Sequence, residues 1–150
     1  MKADQPVWIT ALLYWFGATY ALNGLAMLFT PSLWFFTLVP GVPETGPFNA
    51  HLVADSGTFF IPIGIALLVA ARKAERHVAA IAIAAGATVL HALLHLYSHE
   101  AGLLSYAHIA TEISGIYVPA LLLSAIAAAL IFKPAPRAIE RAPVASTQPR

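Results

Sequence analysis

Two long apolar runs meet at a short basic turn in residues 61–97, which read IPIGIALLVAARKAERHVAAIAIAAGATVLHALLHLY. The first run ends at Arg72 and Lys73, and the second has no Asp, Glu, Lys or Arg from residue 78 to residue 97. Roughly 20 residues of helix, at about 1.5 Å per residue, cross a hydrocarbon core of about 30 Å. This stretch therefore predicts two membrane-spanning helices joined by a short turn.

The rest of the chain repeats this pattern on either side. The four predicted spans cover about residues 7–29, 49–71, 78–97 and 106–132. Of the 150 residues, 59% are hydrophobic and only 10% are charged, whereas a soluble domain usually carries about 25% charged residues. The sequence predicts an all-α, polytopic membrane protein: a four-transmembrane-helix bundle in residues 1–133, followed by a disordered cytoplasmic tail at 134–150.

The basic residues predict an orientation. With four spans, all of them fall on one side of the membrane: Lys2, Arg72, Lys73, Arg76, Lys133, Arg137, Arg141 and Arg150. The two loops on the other side, 30–48 and 98–105, contain no Lys or Arg. Because cytoplasmic loops carry an excess of Lys and Arg, both termini are predicted to be cytoplasmic. The net charge of +1 gives no basic patch for nucleic acid.

The loop at 30–48, between the first and second spans, is long and apolar. It contains Trp34, Phe35 and Phe36, followed by three prolines. Aromatic residues next to a span are typical of an interfacial segment. We predict such a segment here, acting either as an ordinary membrane anchor or as a lid over the outer mouth of the bundle.

Three pairs of ionisable side chains, each spaced i and i+4, lie within the predicted spans: His51 and Asp55, His91 and His95, and His108 and Glu112. Residues at this spacing share one helix face, one turn apart. Counting helical rise from the outer boundary places Asp55, His91 and Glu112 roughly 7–10 Å deep, with the other three about one turn shallower. Asn23 of the first span falls near the deeper layer.

Ionisable residues inside a membrane are costly and usually mark a functional site. Imidazoles and carboxylates together suit zinc, iron or copper, and helical bundles build dinuclear sites from inward-facing Glu and His. We predict that the six residues form a mononuclear or dinuclear metal site near the outer face. If the site is catalytic, Asp55 or Glu112 is the proton acceptor of a metal-dependent oxidoreductase or hydrolase for a small or lipidic substrate. His99 and Glu100 are predicted to be solvated in the outer loop.

Other functions fit the same residues. The six can form a polar network that only stabilises the bundle, as in an accessory subunit of a larger membrane complex. Opposed imidazoles, such as His51 or His108 facing His91 or His95, can hold haem b. His–carboxylate pairs also relay protons in transporters. The partners expected in all cases are the lipid bilayer and either a second copy of the chain or a larger complex.

The first half of the chain carries one family resemblance. Residues 24–29, GLAMLF, are followed by Pro31, and residues 49–55, NAHLVAD, are followed by Gly57. This layout resembles the small bacterial four-helix membrane proteins called DoxX-like. The resemblance implies a four-helix protein of the bacterial inner membrane. It supplies no site residues, because the histidine cluster is not part of it.

Overall fold

The computed structural model describes residues 5–132. The predicted tail at 134–150 lies outside the described residues. Four long helices are present: α1 at Val7–Phe29, α2 at Ala50–Ala70, α3 at Val78–Glu100 and α4 at Tyr106–Ile131. All four are long and apolar enough to cross a membrane, and residues 5–132 contain no strand. The prediction of an all-α, four-helix membrane protein is confirmed.

Helix α3 is longer than the predicted third span. The third span was expected to end at residue 97, but α3 continues to Glu100. Polar side chains do not themselves end a helix, and the Ser98 hydroxyl donates to the Leu94 carbonyl within α3. The chain leaves the helix at Gly102, whose φ of 69° lies in the left-handed region that favours glycine. The added residues bring His99 into the helix.

Helices α1 and α2 approach each other through glycines. Gly17 and Gly24 on α1 face Gly64 and Gly57 on α2, and the two glycines of each helix are spaced i and i+7. A Cβ on Gly57 would lie 2.6 Å from the carbonyl oxygen of Gly24, so no larger residue fits without moving backbone. Small residues allow close helix packing in membranes, where lipid provides no hydrophobic force between helices.

The two ends of the bundle differ. We call the end where α2 stops and α3 starts the basic end, because Arg72, Lys73 and Arg76 lie there. Apolar side chains from all four helices fill this half, and five of them are fully buried: Leu13, Leu67, Ile81, Leu123 and Ile126. Gln5 closes the basic end by donating to the Ala71 carbonyl at 3.0 Å and accepting from the Ala74 N–H at 2.6 Å.

The opposite end, which we call the site end, is irregular. Helix α4 starts with a 3-10 turn and one α-turn to Glu112, then widens into a π-type segment at Ile113–Tyr117. Pro119 explains the widening, because it has no N–H to donate to the carbonyl one turn earlier. Such wide turns are frequent at functional sites.

The segment after α1 is helical rather than an open loop. One turn at Pro31–Leu33 leads into a π-type segment at Trp34–Leu38, and a 3-10 turn follows at Val42–Thr45. The Trp34 Nε1–H donates to Asn23 Oδ1 at 2.8 Å, while Phe35 is buried. Both side chains therefore point into the bundle. An interfacial position for this segment stays a prediction.

Candidate metal centre

His99 and Glu112 join the end of α3 to the start of α4. The Nε2 atom of His99 lies 2.7 Å from Glu112 Oε2, and the His99 side chain is only 1% exposed. Its Nδ1 atom faces the Leu104 carbonyl oxygen at 3.3 Å. Both ring nitrogens therefore face oxygen acceptors, although a neutral imidazole has only one N–H. The ring fits this position either as an imidazolium or as a neutral ring whose Nε2 lone pair binds a cation that the carboxylate also binds.

His95 lies one helical turn before His99 on the same face of α3. Its Nδ1 atom is 3.2 Å from Glu112 Oε2, which is close enough for an ion pair. The geometry is not that of a hydrogen bond, however, and this buried nitrogen has no hydrogen-bond partner within the described chain. Such an orphaned buried atom is uncommon and calls for a partner.

The three residues form what we call the His95–His99–Glu112 group. One ligand atom from each residue lies within 4.8 Å of the others, so the group can hold a metal ion. Two imidazole nitrogens and one carboxylate oxygen are ligands of zinc, iron and copper sites. Because the ligands come from two helices, a bound ion would also link α3 to α4.

Tyr106 holds the ring of His99 in place. The two rings stack with centroids 4.4 Å apart and an interplanar angle of 16°. The Tyr106 hydroxyl donates to Glu100 Oε1 at 3.1 Å. The Leu104 carbonyl and Tyr106 are thus outer partners of the group, the kind that orient a ligating imidazole. No sequence pattern indicates either of them beyond their place next to the loop.

The structure distributes the six predicted site residues over three places. His95 and Glu112 are in the group, and His91 is beside it, with ring centroids of His91 and His95 4.9 Å apart. His108 lies one turn before Glu112, at the start of α4, and pairs with Glu44 at 2.8 Å. His99, which was expected to be solvated, is instead buried in the group, because α3 extends past residue 97. The expectation for His99 was wrong.

His51 and Asp55 do not join the group, because both are exposed on the outward face of α2. Their i, i+4 spacing correctly indicates a shared face but carries no information on where that face points. Gly57 and Gly64 determine the direction, because they turn the opposite face of α2 toward α1. His51 is therefore not an axial ligand candidate for haem b on the bundle side, and a catalytic role for Asp55 stays a prediction.

A cavity of about 620 Å³ lies beside the group. His91, His95 and Glu112 line one wall, and Asn23 and Trp34 line another. Most of the remaining lining is apolar or aromatic: Tyr20, Met27, Phe35, Val42, Val53, Phe59, Phe60, Ile63 and Ile116. This volume is in the range of small-molecule sites, which combine apolar walls with a few polar groups.

The segment after α1 borders the cavity from the site end. Glu44 in this segment pairs with His108 of α4, and both residues line the cavity. Gly41 has a φ of 86°, and a Cβ added there would lie 3.0 Å from the His108 ring. The segment therefore contacts α4 closely at this point, and only glycine suits the contact.

No family model matches the chain, and no curated protein or solved structure matches it either. The DoxX-like resemblance stays a prediction. A function for this chain must therefore be derived from the geometry and chemistry of its site.

Proposed function

We propose that this protein is an integral membrane protein that binds one divalent transition-metal ion, zinc, iron or copper, through His95, His99 and Glu112. The observation that carries the proposal is the convergence of one ligand atom from each residue within 4.8 Å. Two further facts support it. His95 Nδ1 is buried without a hydrogen-bond partner in residues 5–132, and His99 Nε2 faces a carboxylate.

The surroundings of His99 favour a metal as its partner. A ligating histidine usually donates its second N–H to a carbonyl or carboxylate, which fixes the tautomer. The Leu104 carbonyl stands 3.3 Å from Nδ1 and can accept that hydrogen. Nε2 then presents its lone pair on the side of Glu112 and His95, where the ion would bind.

The cavity provides room for a small molecule to bind beside the metal site. Three protein ligands leave a coordination position open, which is the usual arrangement of catalytic zinc sites. His95 and Glu112 both line the cavity, so a molecule there is within reach of the ion. A bound metal would supply Lewis acidity or an activated water. The apolar walls suit a small or lipidic substrate with a polar head, and in this proposal Glu112 is a ligand.

We also propose that the site end faces the non-cytoplasmic side of a bacterial inner membrane. Arg72, Lys73 and Arg76 lie at the opposite, basic end of the described bundle. Positive loops are retained in the cytoplasm, so this end would face inward. Labelling of a cysteine placed at Thr45 by a membrane-impermeant reagent in intact cells tests the orientation; protection of this residue would contradict it.

Metal analysis tests the binding site. We expect stoichiometric zinc, iron or copper in detergent-purified wild type, and its loss in the His95→Ala, His99→Ala double variant. His77→Ala is the matched control, because His77 lies at the basic end before α3 and should leave the metal content unchanged. Wild type that contains no metal, and whose unfolding temperature does not respond to added zinc, iron or copper, would contradict the proposal.

One observation favours a second candidate, a polar network that only locks α3 to α4. The His99–Glu112 contact at 2.7 Å is already a complete charge-assisted hydrogen bond if the imidazole is protonated. Glu112→Gln separates the two candidates. The glutamine amide oxygen still accepts a hydrogen bond, but it is a poor ligand for transition metals. A network predicts that this variant loses some stability, because the hydrogen bond is no longer charge-assisted, and that added metal changes neither protein. A metal site predicts loss of the ion.

A further inference from the structure

The exposed face of α2 carries the two ionisable residues that the His95–His99–Glu112 group leaves out. His51 and Asp55 lie one turn apart, and both are exposed. Their side chains make no hydrogen bond or ion pair with any residue in the described part of the chain. By helical rise, Asp55 lies about 7–8 Å beyond the first residue of α2. The carboxylate is thus inside the span rather than at its end.

The same face continues along the whole helix. Exposed residues recur at steps of four and three: His51, Asp55, Thr58, Pro62, Ile65 and Val69. We call this set the α2 stripe. It lies opposite the residues that pack inside the bundle, among them Val53, Gly57 and Gly64. The alternating steps of four and three residues repeat every seven residues, as they do in a seam between two parallel helices.

Within residues 5–132, no other span has an exposed carboxylate and an exposed imidazole one turn apart. The exposed face of α1 consists largely of big apolar residues such as Trp15 and Leu22. Within residues 5–132, Glu100 is the other exposed acidic residue of a span; it is the last residue of α3 and accepts a hydrogen bond from Tyr106. Ionisable residues within a membrane almost always face protein or water rather than lipid. Asp55 therefore calls for a covering partner.

We propose that the α2 stripe is the interface of a symmetric homodimer. Two copies inserted in the same orientation place their α2 helices parallel about a two-fold axis along the membrane normal. A two-fold interface uses the same patch on both copies, so the patch must be self-complementary. The symmetry places each Asp55 level with the Asp55 of the second copy and one helical turn from the His51 imidazole of that copy. The stripe meets the condition because these imidazoles can pair with the carboxylates across the axis.

The charges and sizes along the stripe favour a second copy over another protein. A stripe with one sign of charge would need a partner of the opposite sign, whereas this one carries an acid and a base one turn apart. Thr58 follows directly on the same face, and small residues with hydroxyls allow close packing between membrane helices. The dimer does not depend on the proposed metal site, which involves α3 and α4 only.

Disulfide cross-linking tests the interface directly. The chain has no cysteine, so each single-cysteine variant contains one thiol. A disulfide requires Cα atoms within about 7 Å, which a two-fold contact at the stripe provides. We expect Thr58→Cys to give a covalent dimer when membranes are oxidised. The control is Leu90→Cys, because Leu90 is 70% exposed but lies on α3 and not on the stripe. Its neighbour His91 has its ring centroid 6.4 Å from that of Phe60 on α2, so Leu90 and Thr58 lie at similar depths.

A charge swap tests the complementarity. Asp55→His leaves only imidazoles in the interface and His51→Asp leaves only carboxylates, so each should abolish the Thr58→Cys dimer. The double variant His51→Asp, Asp55→His should restore it. Thermal unfolding of each variant checks that it is folded. The mass of the wild type in detergent, measured by light scattering, gives a readout that needs no substitution.

Three results would overturn the proposal. The first is a wild type that is monomeric in detergent, together with a Thr58→Cys variant that forms no covalent dimer. The second is cross-linking of Leu90→Cys as strong as that of Thr58→Cys, which indicates random collision. The third is a Thr58→Cys adduct with a different membrane protein, which assigns the stripe to another partner. Each of them leaves the metal analysis of the wild type unaffected, so this proposal and the proposed function fail independently.

Discussion

The basic end and the site end of this bundle are built in opposite ways. At the basic end, apolar side chains from all four helices meet in a core with five fully buried members. At the site end, three histidines and two glutamates line a cavity of about 620 Å³. The buried apolar cluster there is small, made of Met27, Phe35 and Val53. The polar chemistry is thus located where the packing is incomplete.

The difference shows how a small membrane protein holds an open site. Lipid is as apolar as the core, so the bundle is held by close packing and hydrogen bonds rather than by a hydrophobic force. The basic end and the glycine contacts between α1 and α2 provide the packing. The site end can then keep a cavity, wide turns in α4 and a buried His95 nitrogen without a hydrogen bond, because it contributes less to the stability of the fold.

Truncating one apolar side chain in each half gives the largest expected contrast. Leu67 at the basic end is fully buried, and Leu67→Ala should lower the free energy of unfolding by about 3 kcal/mol through the cavity it leaves. Ile116 already borders a cavity, so Ile116→Ala should stay within about 0.5 kcal/mol of wild type. Reversible unfolding in mixed micelles measures both. Equal losses of unfolding free energy in the two variants would contradict the expectation that the basic end contributes more to stability than the site end.

Added metal should stabilise the site end selectively. A ligand that binds only the folded state adds about 2.7 kcal/mol at a concentration 100 times its Kd. We expect this gain for metal-depleted wild type titrated with zinc, and no gain for Glu112→Gln. Leu67→Ala is the control from the other end, and it should gain as much as wild type. A gain that survives in Glu112→Gln would place the metal elsewhere.

Glycine substitutions test the packing of α1 against α2, which extends through both halves of the bundle. A Cβ on Gly57 would lie 2.6 Å from the carbonyl oxygen of Gly24, and backbone cannot move aside cheaply. Gly57→Ala should therefore cost about 2 kcal/mol. Gly86 on α3 has nothing within 4 Å of its position for a Cβ, so Gly86→Ala should stabilise its helix by about 0.5–1 kcal/mol. The same unfolding assay measures both, and opposite signs are the expected result.

Much of the fold follows from the sequence. The uncharged runs located four helices to within a few residues, because length and hydropathy alone determine which segments can cross a bilayer. The i, i+4 pairs on the third and fourth spans correctly brought His95 and Glu112 together. Depth counting was less accurate, because it placed Glu112 level with His91 and one turn deeper than His95, whereas the Glu112 carboxylate lies 3.2 Å from His95.

The rest of the site depends on how each helix is rotated about its own axis and on the residue at which each helix ends. A pattern of polar residues determines neither. His51 and Asp55 share a face, but that face points away from the bundle because Gly57 and Gly64 pack on α1. The seven-residue spacing of these glycines was the available signal. His99 was missed because three extra residues of α3 turn a loop position into a buried one. Glu44 comes from a segment 64 residues before its partner His108, and no local pattern links the two.

The smallest expected effect concerns the polar tie at the site end. Trp34→Phe keeps an aromatic ring but removes the donor of the 2.8 Å hydrogen bond to Asn23. Hydrogen bonds within membrane proteins average about 0.6 kcal/mol, so the unfolding free energy should fall by only that amount. A double-mutant cycle with Asn23→Leu isolates the pair, and Phe36→Leu, at a residue 59% exposed, is the control.

The same substitution has a second readout, because a small loss of stability can still free a local segment. Amide hydrogen exchange of residues 31–45 should become faster in Trp34→Phe, while exchange near Gln5 and Ala74 at the basic end should not change. A uniform increase at both ends would mean that the two halves unfold as one unit. The cavity would then depend on the stability of the whole bundle. The packed end and the open end would differ in shape but not in stability.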